Sequence, residues 1–252
     1  KHIQIKFIDN YKKALILLGD SRNYYLQKDV DGKRILTNYD SIYSLGNHNG
    51  TEIYVVGKYG ATKDWLVGSN GVNSGAYQVD YLLNNLASKG LYYDVKIASN
   101  LGVNDINYSD VSESTTFYKN IYYDLLNSRR SVVVNNSNVN TTWIKRKNVI
   151  SVDFNFVSIN PIDEKLLNNY NPSNLRTNAL INQFNSIMSS SYGSKYINMN
   201  SQFGSWFNST VKAGQKRYLV GNCNGHQCED GIHYSSYMNK TFIYPFYKNK
   251  LC

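Results

Sequence analysis

The residues best suited to chemistry in this chain stand near its two ends. Gly19-Asp20-Ser21-Arg22 follows the apolar run Ala14-Leu15-Ile16-Leu17-Leu18, and Glu229-Asp230-Gly231-Ile232-His233 sets an acid and a histidine three positions apart. A serine hydroxyl is a weak nucleophile until a base takes its proton. An imidazole, neutral near pH 7, is such a base once a carboxylate holds its other nitrogen. Ser21, His233 and Asp230 therefore suit acyl transfer through a covalent serine ester, with the fold left to bring them together. Each also has a plainer reading. Gly-Asp-Ser turns well, Asp230 can cap a helix, and His2, His48 and His226 compete with His233 as the base.

Five aliphatic residues in a row, Ala14 to Leu18, read as a strand buried on both faces, so Ser21 falls at the edge of a sheet. If a helix follows, its free N–H groups and positive dipole end converge on Ser21, and the Ser21 N–H becomes a candidate oxyanion donor. Further strands are expected at 52–56, 93–98, 154–159 and 196–199, and helices at 79–88, 112–129 and 175–188, with Gly90 and Arg129-Arg130 as stop signals. Between Arg22 and Asn49 the polar segment 28–34 reads as a loop or turn. The β-rich runs 131–135 and 149–156 are either an inserted hairpin, around 131–152, or include the fourth strand. That strand is preferred at 154–159, because it leads into Asn160-Pro161-Ile162-Asp163. Strands alternating with helices argue for a parallel sheet covered on both faces, within a single domain spanning 1–252. Ligands of such sheets bind beyond the carboxyl ends of the strands.

Gly-Asp-Ser near the N-terminus, a glycine after the second strand, Gly102-Val103-Asn104-Asp105 after the third and Asp230-Gly231-Ile232-His233 resemble the four blocks of the SGNH (GDSL-type) hydrolase family, in order and over nearly the whole chain. The resemblance implies a flavodoxin-like three-layer α/β/α sandwich with a five-stranded parallel sheet. It implies Ser21 as nucleophile, His233 as base and Asp230 as its partner, with Ser21, Gly60 and Asn104 forming the oxyanion hole. Gly57 also follows the second strand, but Gly60 lies further into the loop. Arg22 departs from the aliphatic residue of many members and is similar to the Gly-Asp-Ser-Arg block of secreted clostridial-type members, as is Asn160-Pro161-Ile162-Asp163. Its guanidinium either clamps a substrate carboxylate or phosphate or pairs with Asp20 or Asp64. The implied activity is a serine esterase that removes a short acyl group, acetyl, from a carbohydrate or cell-wall glycan, without metal or organic cofactor. Two alternatives stand beside it. One is an O-acyltransferase acting on peptidoglycan or a surface polysaccharide, and the other is a non-catalytic carbohydrate-binding surface protein. Trp65, Trp143 and Trp206 could stack on sugar in either case, with Trp65 and Arg22 the candidates for contact with substrate.

Composition narrows the classes. The chain has 252 residues, 42% hydrophobic, 18% charged, with 23 tyrosines, which is globular and not disordered. A net charge of +9 draws it towards polyanions, but the densest basic patch is only Lys145-Arg146-Lys147, and no nucleic-acid-binding module is present. No stretch reaches the ~18 apolar residues of a membrane span, and no signal-peptide pattern opens the chain. Cys223 and Cys228 bracket Asn-Gly-His-Gln just ahead of the Asp-x-x-His block. They are either a disulfide, which points to a secreted or cell-surface protein, or ligands with His226 to a metal lacking an evident fourth ligand. Cys252 has no evident partner, and we expect a monomer.

Overall fold

The computed structural model describes residues 11–67, 73–89, 92–126, 131–134, 137–140 and 149–252. Expectations resting on His2, Gly90, Arg129-Arg130, Trp143 and the 145–147 patch lie outside the described residues.

The aliphatic run forms the heart of β1 (Tyr11–Gly19), where Leu15 to Leu18 have no solvent exposure. After it come α1 (Ser21–Asp29), β2 (Lys33–Arg34), β3 (Ile42–His48), β4 (Thr51–Gly57), α2 (Lys63–Val67), α3 (Gly75–Ala87), β5 (Tyr92–Ser99), α4 (Asp105–Tyr108) and α5 (Val111–Leu126). The second half holds β6 (Ser131–Val134), β7 (Ser137–Asn140), β8 (Val149–Val157), α6 (Glu164–Tyr170), α7 (Asn178–Tyr192), β9 (Tyr196–Ile197), α8 (Asn200–Lys212), β10 (Val220–Cys223), β11 (His226–Cys228), α9 (Ser236–Met238) and α10 (Tyr244–Leu251).

The main sheet has the order β2-β3-β4-β1-β5-β8-β9. Five of its strands, β4-β1-β5-β8-β9, are mutually parallel, as expected. Two more, β2 and β3, extend the β4 edge antiparallel and make the sheet seven-stranded. β2 falls at the end of the segment 28–34 that reads as a loop or turn, and β3 follows it. A two-residue turn, Asn49-Gly50, joins β3 to β4, and both of its residues have positive φ, as a tight hairpin turn requires. The 131–152 region divides: β6 and β7 pair antiparallel in a sheet of their own, while β8 joins the main sheet from Val149.

Side chains alternate across β1 and build a core on each face. Ala14, Ile16 and Leu18 pack with residues of α2, α3, α5 and α7, including Leu82, Phe117, Tyr118 and Phe184. Leu15 and Leu17 pack with Leu26 of α1, Phe203 of α8 and Met238, Ile243 and Tyr247 near the C-terminus. The result is a three-layer α/β/α sandwich. No helix among the described residues is long and apolar enough to cross a membrane.

Candidate active site

Each residue of Gly19-Asp20-Ser21 has its own reason to be there. The helix α1 folds back so closely that a Cβ on Gly19 would come within 2.3 Å of Asn23 Nδ2. Asp20 is the N-cap of α1, its Oδ1 accepting from Arg22 N–H at 2.9 Å. Ser21 is thereby the first helical residue, so its own N–H has no intrahelical acceptor. Burial pushes the Asp20 carboxyl above its usual range despite the nearby Arg22 guanidinium.

The far end of the chain meets this turn. Ser21 Oγ lies 2.8 Å from His233 Nε2, and His233 Nδ1 is bonded to Asp230 Oδ2. The other Asp230 oxygen accepts from Ile232 N–H (3.0 Å) and His233 N–H (2.9 Å), so one carboxylate shapes the loop and orients the ring together. Burial would raise Asp230, but these two N–H groups and the hydrogen bond and charge of His233 outweigh it and hold the carboxyl below its usual range. His48 is on β3 and His226 is exposed on β11.

The remaining expected donors lie on two loops that are tied to each other and to β1. Lys58 N–H donates to Gly19 O and Asn100 N–H to Leu18 O. Gly57 N–H is engaged by Ser41 O at 3.0 Å, whereas Gly60 N–H makes no hydrogen bond seen among the described residues. Gly60 has φ 67°, in the left-handed region that glycine tolerates best. Asn104 Nδ2 donates to Ala61 O at 3.1 Å, which uses one of its two N–H bonds. Beneath it, buried Asp105 accepts from Lys63 N–H (3.0 Å) and from the Tyr118 hydroxyl (2.6 Å). Burial raises the Asp105 carboxyl to about 6, against the pull of these bonds.

Arg22 is turned into the protein, whereas Trp65 is partly buried. Arg22 is buried, stacks at 4.7 Å over Tyr234, and donates to the carbonyls of Ile232 (2.9 Å), Asn160 (2.9 Å) and Pro161 (3.1 Å). It makes no ion pair with Asp20 or Asp64 and instead ties the histidine loop to the loop after β8. Trp65 packs against the core, its ring so close to Gly75 that a Cβ there would meet it at 2.7 Å. Cys223 and Cys228 are bridged, closing the β10–β11 hairpin, and Cys252 is free and exposed.

Two groups escaped the sequence reading. Arg176, buried, donates through Nη2 to Asn104 Oδ1 (3.1 Å) and through Nε to Val103 O (3.0 Å). It thereby fixes which end of the Asn104 amide is the donor end. Tyr25, one helical turn from Ser21, sets its ring edge-on to His233 with centroids 4.9 Å apart. Tyr25 lies four residues after Ser21, a spacing that puts both on one helix face, whereas nothing local marks Arg176.

In hydrogen-bonding terms the site holds a serine, a base and an oriented carboxylate, with donor groups on two neighbouring loops. That arrangement can take a proton from Ser21 and return it. No family model and no curated protein matches the chain. In fold it is similar to a Streptococcus pneumoniae protein described in terms of platelet activating factor, with 17% identity and a TM-score of 0.50 over 98% of this chain and 86% of that one. It is similar also to a carbohydrate acetylesterase family member from Sinorhizobium meliloti, with 11% identity and a TM-score of 0.50 over 90% of this chain and 92% of that one. At such identities the likeness is one of architecture, and the architecture is that of SGNH hydrolase-like proteins: a mostly parallel central sheet flanked by helices.

Proposed function

We propose that this chain is a serine esterase of the SGNH type that removes acetyl from a carbohydrate or cell-wall glycan. The observation that carries the reading is the continuous relay from Ser21 Oγ through His233 to Asp230. His233 Nε2 takes the hydroxyl proton as Ser21 Oγ bonds to the ester carbonyl carbon. The carbonyl oxygen, now an oxyanion, faces the N–H groups of Ser21 and Gly60 and the free N–H of Asn104. The carbon–oxygen bond to the alcohol then breaks, and His233 Nε2 returns the proton to the departing oxygen. Water, deprotonated by the same nitrogen, attacks the acyl-enzyme and releases acetate and Ser21. Asp230 keeps the Nδ1 proton in place throughout and stabilises the imidazolium.

The likeness to a carbohydrate acetylesterase supports the substrate class, as do the side chains exposed after β4, Lys58, Tyr59 and Asp64, which offer little area to an acyl tail. The Cys223–Cys228 bridge supports a secreted or cell-surface location.

A serine-directed phosphonate and a series of acyl esters test the reading. Label on Ser21, and kcat/KM highest for acetyl among acetyl, butyryl and octanoyl esters of one alcohol, are expected. Label elsewhere, or none, would remove Ser21 as nucleophile, and kcat/KM rising with chain length would replace the acetyl assignment with a lipase-like one. Acetyl recovered on an added sugar instead of as free acetate would turn the hydrolase into a transferase.

A further inference from the structure

A serine esterase returns its proton to the alcohol it releases, so that alcohol must lie within reach of His233 Nε2 while the oxyanion points towards Gly60 and Asn104. Tyr25 packs against the His233 ring, edge-on, with centroids 4.9 Å apart. Tyr59 packs on Tyr25 at 5.4 Å and on Tyr24 at 4.4 Å, and Tyr24 meets Tyr43 at 6.0 Å. Tyr59 is 49% exposed and directly precedes Gly60, so its ring stands at the mouth of the site. Tyr170, at the end of α6, is exposed too.

We propose that Tyr59 and Tyr25 form the subsite for the alcohol half of the ester and that they hold a pyranose ring there. The proposal rests on the esterase reading above and adds which half of the substrate is recognised, and by which residues. A pyranose has a face of C–H bonds that lies on an aromatic ring and an edge of hydroxyls that bonds to phenolic oxygens. Burial and hydrogen bonds to the Tyr25 and Tyr24 hydroxyls raise the Tyr59 hydroxyl, so the three phenols form one hydrogen-bonded polar cluster beneath the exposed ring. A long alkyl alcohol would cover this hydroxyl cluster without offering it any polar group, whereas the sugar edge can add hydrogen bonds to the oxygens that still accept. An all-apolar wall of leucine or phenylalanine would have had the opposite preference.

The test compares kcat/KM for cellobiose octaacetate with that for ethyl acetate, whose alcohol is too small to reach the platform. Tyr59→Ala should lower the ratio of the two about 10-fold, while Tyr59→Phe, which keeps the ring, should hold it within about 3-fold. An unchanged ratio, or equal loss on both esters, overturns the subsite. If the wild type cleaves neither ester, the esterase reading fails, and the platform is then judged by binding alone. Saturation transfer from protein to the ring protons of cellobiose, in Ser21→Ala and lost in Ser21→Ala/Tyr59→Ala, would uphold it. No transfer in either protein would overturn it.

Discussion

Ser21 and His233 are held in opposite ways. Ser21 is placed by its immediate neighbours: β1 buried on both faces, Gly19 letting α1 fold back, Asp20 capping that helix. His233 sits on a stretch with no helix or strand of its own, and distant parts of the chain pin it. Arg22 grips the Ile232 carbonyl, Leu219 N–H donates to His233 O, and Asp163 N–H donates to Gly231 O. Gly231, with φ 77°, comes so close to the start of α6 that a Cβ would stand 2.5 Å from Asp163 O. Local order places a serine that folds with its own strand and helix. Tertiary ties place a histidine whose position depends on the whole fold.

The largest effect belongs to the chemistry that the two halves share. Ser21→Ala and His233→Ala should each cost about a million-fold in kcat, and the double variant little more, because the two act as one unit. Additive losses would show that they act separately. Next comes the tie between the halves. Arg22→Met should destabilise by about 3 kcal/mol, since it strands three carbonyls that a buried guanidinium now satisfies. It should also cost about 100-fold in kcat through the displaced histidine loop. Urea unfolding and steady-state kinetics check both. A variant as stable and as active as wild type would show that the loop holds itself.

That contrast also explains what could be read from the chain. The Gly-Asp-Ser turn, the five parallel strands and the helices α3 and α5 carry local signals: apolar runs, spacing, small turn residues. The hairpin of β3 and β4 carried one as well, since Asn49-Gly50 between two β-prone runs is a two-residue turn, but between Arg22 and Asn49 the polar segment 28–34 is the feature that stands out. The relay of Ser21, Asp230 and His233 was visible as residue types in order. Arg22 was visible as a charge and invisible as a tie, because its partners are backbone carbonyls 138 to 210 positions away, which no side-chain pattern announces. Arg176 belongs with it: the acceptor at Asn104 lies 72 positions upstream.

Arg176 gives a smaller effect, on the donor side of the site. Arg176→Gln removes the charge that holds Asn104 Oδ1, so the amide can turn its oxygen towards the developing oxyanion. A fall of about 30-fold in kcat is expected, with KM changed less than about 3-fold, because the donor matters most once the charge has formed. Arg176→Lys should recover part of the rate. Loss confined to KM would mean that Arg176 meets substrate and does not act through Asn104.

The smallest effect sets the two sides against each other in pH. Three buried carboxyls flank the site, and the fold does not move them alike: burial raises Asp20 beside Ser21 and raises Asp105, beneath Asn104, to about 6, whereas Asp230, beside His233, is lowered. An acid raised in the fold binds its proton more tightly there than in the unfolded chain. The stability that Asp105 contributes is therefore present below its unfolded value of 3.8 and is lost as pH rises through about 6. Asp230 has the reverse sign: its contribution is present above 3.8 and is lost as pH falls through its lower folded value. Between pH 4 and pH 7 Asp20 changes with the same sign as Asp105, and comparison with a variant at position 105 isolates the Asp105 part. Asp105→Asn cannot ionise, so its unfolding free energy relative to wild type should move in favour of the variant by about 2 kcal/mol across that interval. Urea titrations of both proteins at pH 4, 5.5 and 7 measure this difference directly. A flat difference would mean that Asp105 ionises as freely in the fold as outside it, and that the bonds from Lys63 N–H and the Tyr118 hydroxyl fully offset its burial.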